Sequence, residues 1–230
     1  MDQQNSPSIA FDLSTFLGAL THDLANPLNA ISMNAELARL LCDRNQVDRV
    51  REVADRVLAD CSRSSRLLRE LRAFADAVKQ RPSESVAVRR VVDAAELLAR
   101  AQVTVTFPEL RVEPTTCELE GNRLAWELAF AALLRNAAEA GARTLKIDIA
   151  ATREMLNITV ADDGSGMTAI ARNKIGTPFF STRREQGNTG LGIALCSYVV
   201  RAHEGELRFL DNAGTGTVVS ISLPRTSAAE

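Results

Sequence analysis

No apolar run in this sequence approaches the roughly 20 residues that a helix needs to span a bilayer. The longest one, around Leu128 to Leu134, is short and directly follows Glu127. The polar N-terminus, Met1 to Pro7, has neither the basic start nor the apolar middle of a signal peptide. The sequence therefore predicts a cytoplasmic protein with no membrane insertion.

Neither sign of charge dominates the sequence, whose net charge is −2 at pH 7. A protein that binds nucleic acid needs a concentrated positive field, so we expect no nucleic-acid partner. No two cysteines form a C-x-x-C pair, which argues against a metal site and favours reduced, structural thiols. The four cysteines are Cys42, Cys61, Cys117 and Cys196.

The first third of the chain contains two long helical patterns. Apolar residues recur every three or four positions from Leu13 to Ala35, and again with a near-heptad period from Val50 to Val78. The polar residues 43–45 separate the two runs, so the pattern predicts an antiparallel helical hairpin. A lone hairpin can bury only one stripe against itself. We therefore expect two hairpins to pair into a four-helix bundle, which makes the protein a homodimer.

The chain changes character near residues 80 to 85, where the sequence is polar and contains Pro82. We place a helical-hairpin domain at residues 10–80, a linker at 81–85 and a second domain at 86–224. Alternation of apolar residues in the second domain predicts strands, and spacing by three or four predicts helices. The predicted strands cover 103–107, 145–149, 156–160, 206–210 and 217–223, and the predicted helices cover 124–140 and 190–203. This mixture indicates an α+β fold.

His22 lies on the polar side of the first helix. At about 100° per residue it is about 200° from both Leu20 and Leu24, so we expect it to point into water. Asp23 lies beside it, and Asn26 shares its face one turn later. A neutral imidazole is a nucleophile towards phosphoryl groups, and a neighbouring carboxylate can hold the other ring proton. The plain alternative is a histidine with no special role.

Pro27 is unusual within this helical pattern. Inside a helix it removes one N–H and clashes with the carbonyl of Asp23, at a cost of about 3 kcal/mol. A helix could instead begin here, with Asn26 as N-cap and Pro27 in the first position. Since the apolar stripe continues through Pro27 in phase, we favour one kinked helix.

Several segments together carry a resemblance to a known family. Residues 21–28, THDLANPL, resemble the H-box of sensor histidine kinases. Four further segments resemble the other boxes of this family, in the family's order. LLRNAAEA at 133–140 resembles the N-box, and DDGSGM at 162–167 resembles the first glycine box. PFFSTR at 178–183 resembles the phenylalanine box, and GNTGLG at 187–192 resembles the second glycine box. Residues 214–217, GTGT, are similar to a final glycine turn. The resemblance covers residues 10–224 and is closest to the NtrB-like branch.

The resemblance implies a fold and a set of roles. The hairpin would form the dimeric bundle, and the second domain would be an α/β-sandwich ATP-binding domain of the Hsp90, gyrase and MutL superfamily. His22 would accept the phosphoryl group, Asp23 would be the general base, and Asn26 would align water during dephosphorylation of a partner. Residues 168–188 would form a mobile lid. The residues implied to bind ATP are Asn136, Asp162, Gly164, Gly166, Arg183, Thr189, Gly190, Leu191 and Gly192.

These residue types suit a nucleotide. A buried carboxylate such as Asp162 can accept a hydrogen bond from an exocyclic amino group, as on adenine. Gly190 and Gly192 open a helix, whose free N–H groups and dipole favour phosphate. Asn136 offers an amide oxygen to Mg²⁺, which prefers oxygen ligands. Arg183, and Arg184 beside it, could supply cations to the phosphates, although surface arginines are the plain alternative.

The implied function is that of a two-component histidine kinase. It would autophosphorylate His22 from ATP and Mg²⁺ and pass the phosphoryl group to an aspartate of a response-regulator receiver domain, with a phosphatase activity through Asn26. We expect a separate sensory protein to deliver the signal. The alternative is a non-enzymatic histidine phosphotransferase or scaffold dimer with a degenerate ATP-binding domain, which Ala132 favours because many relatives carry an asparagine there. A serine kinase that controls a sigma factor would share the ATP fold but would not use the hairpin.

Overall fold

The first two helices form an antiparallel hairpin, and the remainder of the chain forms an α/β domain. The structure, a computed structural model, describes residues 13–79, 84–103, 105–113, 116–183, 189–212 and 215–225. Helix α1 covers Leu13–Asp43 and helix α2 covers Val47–Lys79, as the apolar periodicity predicts. The described part of the chain contains no helix that is both long enough and apolar enough to cross a membrane.

A tight turn reverses the chain between the two helices. Asn45 adopts a left-handed conformation with φ 57°, which asparagine tolerates better than most residues. The backbone N–H of Gln46 donates to the carbonyl of Leu41 at 3.0 Å and so satisfies one of the last carbonyls of α1. The polar break at residues 43–45 therefore is the turn of the hairpin.

Helix α1 continues without interruption through Pro27, so the alternative of a helix start at this residue is wrong. Pro27 and Leu41 are buried, whereas Leu17 and Leu28 remain 50% and 54% exposed. The predicted apolar stripe is therefore only partly covered within one chain. The reason is geometric, because one neighbouring helix cannot cover a stripe of this width.

Within its described residues, the α/β domain contains one five-stranded sheet and four helices. Its strands and helices, in chain order, are β1 (Ser85–Ala87), α3 (Val88–Arg100), β2 (Glu109–Glu113), β3 (Glu118–Glu120), α4 (Arg123–Glu139), β4 (Thr144–Ala151), β5 (Met155–Asp162), α5 (Ala169–Lys174), α6 (Gly192–Ala202), β6 (Glu206–Asp211) and β7 (Thr217–Pro224). The sheet order is β2-β4-β5-β7-β6, in which only the pair β2–β4 is parallel. Strands β1 and β3 form a separate antiparallel pair.

Alternate side chains of the central strands are buried on one face of the sheet. Ile147, Ile158 and Ile221 are fully buried, and Ile158 pairs directly with Ile221. Trp126 and Phe130 of α4 are also fully buried in the same cluster. The domain is thus a two-layer sandwich in which α3, α4 and α6 cover one face of the sheet, consistent with the predicted fold class.

One predicted strand is misplaced. Residues 103–107 alternate in polarity, yet the described part of this segment is a loop and the strand is β2, which begins at Glu109. Pro108, which has no N–H to donate, precedes the ladder, and the N–H of Glu109 makes the first bond, to the carbonyl of Arg143 at 2.9 Å. Phe107 instead lies 4.4 Å from the guanidinium carbon of Arg100 in a cation–π contact. Helices α3 and α5 and the β1–β3 pair carry no prediction from the sequence.

The hairpin packs against the α/β domain rather than standing apart from it. Leu67 of α2 is 4% exposed and belongs to the same contiguous apolar cluster as the core of the α/β domain. Helix α2 contacts both α4 and α6. Of the predicted linker, residues 81–83 lie outside the described residues and Ser85 is already the first residue of β1.

The cysteines form no disulfide. Cys42 and Cys61 are exposed, Cys117 is half-buried and Cys196 is buried in α6. Burial raises the pKa of the Cys196 thiol to about 12 and makes it an inert core residue. All four are free thiols, and Cys196 is the buried one.

Candidate functional site

The first candidate site is the outer face of α1 around His22. The His22 side chain is 67% exposed, as its helical phase predicts. Its Nδ1 lies 3.2 Å from Oδ1 of Asp23, and Nδ2 of Asn26 lies 3.3 Å from Nδ1 and 3.4 Å from Nε2. The three residues predicted to act together are therefore in mutual contact on one helical turn.

Pro27 leaves the backbone around His22 short of one hydrogen bond. Because Pro27 has no N–H, the carbonyl of Asp23 lacks its usual helical partner. Two nearby hydroxyls bond back to the helix: Thr21 donates to the carbonyl of Leu17 at 2.8 Å, and Ser32 donates to that of Leu28 at 3.0 Å. Such back-bonding is common where a helix bends, and it occurs here on either side of the imidazole.

The second candidate site is a cleft of about 300 Å³ in the α/β domain. Six of the predicted binding residues line it, and the other three, Gly164, Thr189 and Leu191, are buried and do not line it. The lining residues among those predicted are Asn136, Asp162, Gly166, Arg183, Gly190 and Gly192. The sequence motifs, which are spread over nearly 60 positions, thus converge on one cavity.

Asp162 is the buried carboxylate of the cleft. It is 8% exposed, and its Oδ1 accepts from the backbone N–H of Gly164 at 2.9 Å and of Thr217 at 3.3 Å. Its Oδ2 has no hydrogen-bond partner among the residues that the structure describes. Burial raises the pKa of Asp162, against the lowering effect of the two amides. A carboxylate oxygen in such a pocket suits an N–H donor of a ligand.

Gly216 makes the position of Asp162 possible. A Cβ at Gly216 would lie 1.9 Å from the carbonyl oxygen of Asp162, and the glycine has φ +101°. The side chain of Asn212 donates to the same carbonyl at 2.8 Å. The final glycine turn of the sequence is therefore a close approach of the backbone to the base of the cleft; Gly214 lies outside the described residues.

The neighbouring Asp163 serves the fold rather than the cleft. Its Oδ1 accepts from the N–H groups of Arg143 and Thr144 at 2.7 and 3.0 Å, and its Oδ2 accepts from the Thr144 hydroxyl at 2.9 Å. The hydrogen bond from the N–H of Thr144 is the largest cause that lowers the pKa of Asp163. This carboxylate ties the end of β5 to the start of β4.

The N-terminus of α6 opens towards the cleft. Gly190 has φ +73°, and a Cβ there would lie 2.6 Å from the backbone of Phe179 and Phe180. The hydroxyl of Thr189 accepts from the N–H of Leu191 at 3.3 Å and leaves the following N–H groups of the helix start to the cavity. This arrangement of free N–H groups favours an anion.

Arg183 also lines the cleft, with its Nη1 3.8 Å from Oε2 of Glu139. The predicted lid, residues 168–188, includes α5 and the described residues up to Arg183; residues 184–188, with Arg184, Gly187 and Asn188, lie outside the described part.

Asn136 is the candidate Mg²⁺ ligand. Its side chain is exposed and lines the cleft without a hydrogen-bond partner among the described residues. These residues contain no group of three or more His, Cys, Asp or Glu side chains that could hold a metal ion on their own. A single amide oxygen fits Mg²⁺, which usually takes one or two protein ligands together with phosphate oxygens and water.

Several residues of the site were not predicted. The apolar wall of the cleft includes Val160 of β5, Phe209 of β6 and Val219 of β7, whose inward alternation was the available signal. Arg135 and Glu139 of α4 also line the cleft, although the motif that contains them assigned them no role. Glu70 of the hairpin contacts Arg135 from outside the α/β domain, and nothing in the local sequence indicates this contact.

Two family models match the chain in the order of the two structural parts. The model of the His Kinase A (phospho-acceptor) domain matches residues 12–78, and that of the histidine kinase-, DNA gyrase B-, and HSP90-like ATPase matches residues 121–227. The first match contains His22 and the second contains the whole cleft. The two matches do not overlap and together take in more than half of the chain. The chain belongs to the sensor histidine kinase family.

Individual histidine kinases resemble this one over most of its length. Sporulation kinase A of Bacillus subtilis (strain 168) is 26% identical over 210 residues, which are 90% of this chain and 34% of the relative. Sensor histidine kinase CpxA of Escherichia coli (strain K12) is 27% identical over 216 residues, 90% of this chain and 46% of the relative. This chain thus spans less than half the length of either kinase.

The solved structure of Acinetobacter baumannii histidine kinase AdeS has the same fold. It superposes with a TM-score of 0.62 at 20% identity and covers 88% of this chain and 97% of that one. Because the match includes both parts of the molecule, the succession of helical hairpin and α/β domain in this histidine kinase is that of a solved relative.

Proposed function

We propose that this histidine kinase transfers the γ-phosphoryl group of ATP to its own His22 and then to an aspartate of a response-regulator receiver domain. One observation supports this above all others: an exposed imidazole, flanked by a carboxylate and an amide, lies in the same chain as a glycine-lined cleft with a buried carboxylate. The two parts supply an acceptor and a candidate donor site.

The surroundings of His22 suit nucleophilic attack through Nε2. With the proton on Nδ1 donated to Asp23, Nε2 keeps its lone pair, in a side chain that is 67% exposed and whose Nε2 lies 3.4 Å from Nδ2 of Asn26. A bond forms between Nε2 and the γ-phosphorus, the bond from that phosphorus to the bridging oxygen breaks, and ADP leaves with the electron pair. Asp23 holds the remaining ring proton and stabilises the positive charge that develops on the ring.

The cleft residues suit the nucleotide part by part. The free Oδ2 of Asp162 accepts from the amino group of adenine, and the apolar wall with Phe209 and Val219 contacts the base. The N–H groups at the start of α6 and the Arg183 guanidinium face the phosphates. Mg²⁺, when bound, neutralises phosphate charge and orients the γ-phosphoryl group for transfer. Asn136 would hold it through its amide oxygen.

The hairpin surface supports a homodimer. Leu17, Leu28 and Ala35 are exposed and lie within about 20° of one another around α1. Helix α2 has a second exposed line of residues at seven-residue spacing, which consists of Ala54, Cys61, Leu68 and Ala75. These lines are parts of the predicted stripes that one chain leaves uncovered. A second hairpin would cover them in a four-helix bundle.

The receiver domain would dock beside His22. Helix α2 carries the arginines Arg56, Arg63, Arg66, Arg69 and Arg72, and all except the half-buried Arg66 are exposed. The acidic active site of a receiver complements such a surface. Asn26, whose amide lies within 3.4 Å of the imidazole, could orient a water molecule for the reverse, dephosphorylating reaction.

The test is incubation of the full chain with Mg²⁺ and γ-labelled ATP. We expect label that is stable in base and labile in acid, present in the wild type and in Ser32→Ala, an exposed position on the same helix, and absent in His22→Ala. Bound nucleotide without label would contradict the kinase and favour the non-enzymatic phosphotransferase. In that case a labelled receiver should pass its phosphoryl group back to His22.

A further inference from the structure

A carboxylate of the hairpin contacts Arg135, a residue of the wall of the candidate nucleotide site, from a smaller pocket beside the cleft. Glu70 on α2 accepts from Arg135 Nη1 through Oε1 at 3.1 Å and from the Thr189 hydroxyl through Oε2. These contacts join positions that are 65 and 119 residues apart, so they are tertiary contacts between the two parts of the molecule. Glu70 is not part of the apolar stripe of α2, and the proposed chemistry at His22 does not involve it.

Both partners of Glu70 belong to the region proposed to hold phosphate. Arg135 lines the cleft next to Asn136, and its Nη2 lies close to Gly192 at the start of α6, where a Cβ would be 2.9 Å away. The Thr189 hydroxyl also accepts from the N–H of Leu191. A guanidinium, a hydroxyl and a helix N-terminus are groups that bind phosphate in proteins. Here the Glu70 carboxylate accepts from the hydroxyl and from one nitrogen of the guanidinium, Nη1, which also donates to Oε1 of Gln102 at 2.6 Å.

The contact is part of a longer line of charges. Arg135 Nε lies 3.9 Å from Oε1 of Glu139, and Glu139 Oε2 lies 3.8 Å from Nη1 of Arg183. Glu70 therefore connects through Arg135 and Glu139 to Arg183, a second arginine of the cleft lining. An anion that moves close to Arg135 or Glu139 therefore changes the electrostatic interactions of Glu70 and of Arg183 as well.

The ion pair between Glu70 and Arg135 is more buried than a surface ion pair of α2. The side chains of Arg135 and Glu70 are 12% and 20% exposed, whereas those of the pair Arg72–Asp76 are 87% and 49% exposed. Charges with little access to water interact more strongly than screened ones. The buried Leu67, three residues before Glu70, anchors the same face of α2 in the core of the α/β domain.

We propose that Glu70 is an internal substitute for a nucleotide phosphate, an autoinhibitory contact that docks the hairpin on the α/β domain and that bound Mg·ATP displaces. The inference rests on the proposed function, since it assumes that the cleft binds ATP. Phosphate oxygens compete with the Glu70 carboxylate at Arg135 and Thr189, because Arg135 already carries Glu70 and Glu139 and a further anion beside them is repelled. Nucleotide binding then weakens the contacts of α2 with Arg135 in the cleft wall and with Thr189 before α6.

The first test compares Mg·ATP affinity in the full chain with and without the Glu70 charge. We measure binding of trinitrophenyl-ATP by fluorescence and displace it with ATP in wild type, in Glu70→Gln and in the matched control Glu52→Gln, an exposed residue on the same helix. We expect Glu70→Gln to bind at least about fivefold more tightly, the low end of typical coupling between sites. Glu52→Gln should match the wild type.

Three outcomes would overturn the proposal. Equal affinity in wild type and Glu70→Gln would contradict the competition alone and leave the proposed function intact. Weaker binding in Glu70→Gln would show that Glu70 instead holds Arg135 ready for the phosphates. Absence of nucleotide binding in every form, with native circular dichroism, would contradict the proposed function and the autoinhibitory contact together.

A second measurement needs no variant and covers the case in which Glu70→Gln fails to fold. Amide hydrogen exchange of the wild type is followed over residues 66–72 with no nucleotide and with saturating Mg²⁺ and a non-hydrolysable ATP analogue. We expect faster exchange in this segment with the analogue, because the contact opens, while residues 50–56 of the same helix stay unchanged. Unchanged or slower exchange at 66–72 with the cleft occupied would contradict displacement.

Discussion

Two consecutive aspartates at the end of β5 have opposite surroundings. Asp162 points into the cleft and is buried, and burial is the main cause that raises its pKa. Asp163 is exposed, and three hydrogen bonds from Arg143 and Thr144 hold its pKa low. Ionisation of Asp162 therefore lowers the free energy of unfolding, whereas ionisation of Asp163 raises it. Such a pair is typical of a position where function and folding demand different things from neighbouring residues.

The proposed role of Asp162 predicts that Asp162→Asn loses nucleotide affinity without losing the fold. The amide can still accept from Gly164 and Thr217, but its NH₂ group would face the amino group of adenine in place of an acceptor. A hydrogen bond to a charged group contributes about 1.5–3 kcal/mol, so we expect binding to weaken roughly 10- to 100-fold. Fluorescence titration with trinitrophenyl-ATP measures the change.

Without nucleotide, Asp162→Asn should be at least as stable as the wild type at pH 7. The raised pKa means that the folded state holds the Asp162 proton more tightly than the unfolded state does, so the wild type loses stability as pH rises above about 4 through the folded pKa. Asp148→Asn, on the neighbouring strand outside the cleft, is the control and should bind nucleotide normally. A large loss of thermal stability in Asp162→Asn would contradict this assignment.

Asp163→Asn should show the reverse pattern. Because hydrogen bonds lower the folded pKa of Asp163, its carboxylate stabilises the protein above the ordinary aspartate pKa of about 4, and this stabilisation is lost as pH falls through the folded pKa. We expect a lower Tm than wild type at pH 7 and a difference that shrinks below pH ~4. Thermal unfolding followed by circular dichroism at a series of pH values measures it, with the exposed Asp55→Asn as control. A difference that does not depend on pH would mean that the hydrogen bonds of the carboxylate are not its cause.

At the scale of elements, periodicity identified the long or strongly alternating segments and failed on the short ones. Helix α1 was predicted through Pro27 because its apolar phase is unbroken there, and β4 and β5 because every second residue faces the core. The alternation at residues 103–107 led to a wrong strand prediction. Which residues form the edge strand depends on their pairing with β4, and this pairing is a property of the whole sheet. Helix α3 was missed although its valines are fully buried.

The turn between α1 and α2 offers a test of backbone conformation. Asn45 has φ 57°, a conformation that costs most L-residues roughly 1–2 kcal/mol. We expect Asn45→Val to lower the free energy of unfolding by about this amount and Asn45→Gly to leave it nearly unchanged, because glycine adopts positive φ freely. Urea unfolding measured by circular dichroism gives both values. Equal destabilisation by valine and glycine would instead point to a side-chain contact of Asn45.

At the scale of the whole molecule, the sequence motifs indicate which residues meet in the cleft but not how the hairpin meets the α/β domain. The glycine boxes, Asn136 and Asp162 converge because the two-layer fold brings the second half of α4, the end of β5 and the start of α6 around one cleft. The contact of Glu70 with Arg135 and Thr189 depends on how two separately folded layers pack, and no local pattern around Glu70 encodes its partners. The same holds for the exposed lines on α1 and α2, whose partner lies outside the single chain.

Those exposed lines predict the oligomeric state. If Leu17, Leu28 and Ala35 lie in the seam of a four-helix bundle, a carboxylate at Leu28 would be buried without a partner at the seam, which is costly. We expect light scattering coupled to gel filtration to give a dimer for the wild type and a monomer for Leu28→Asp. The adjacent exposed Asn29→Asp adds the same charge about 100° away around the helix and should remain dimeric. A monomeric wild type, or a dimeric Leu28→Asp, would mean that the apolar face of α1 serves a contact other than pairing of two hairpins.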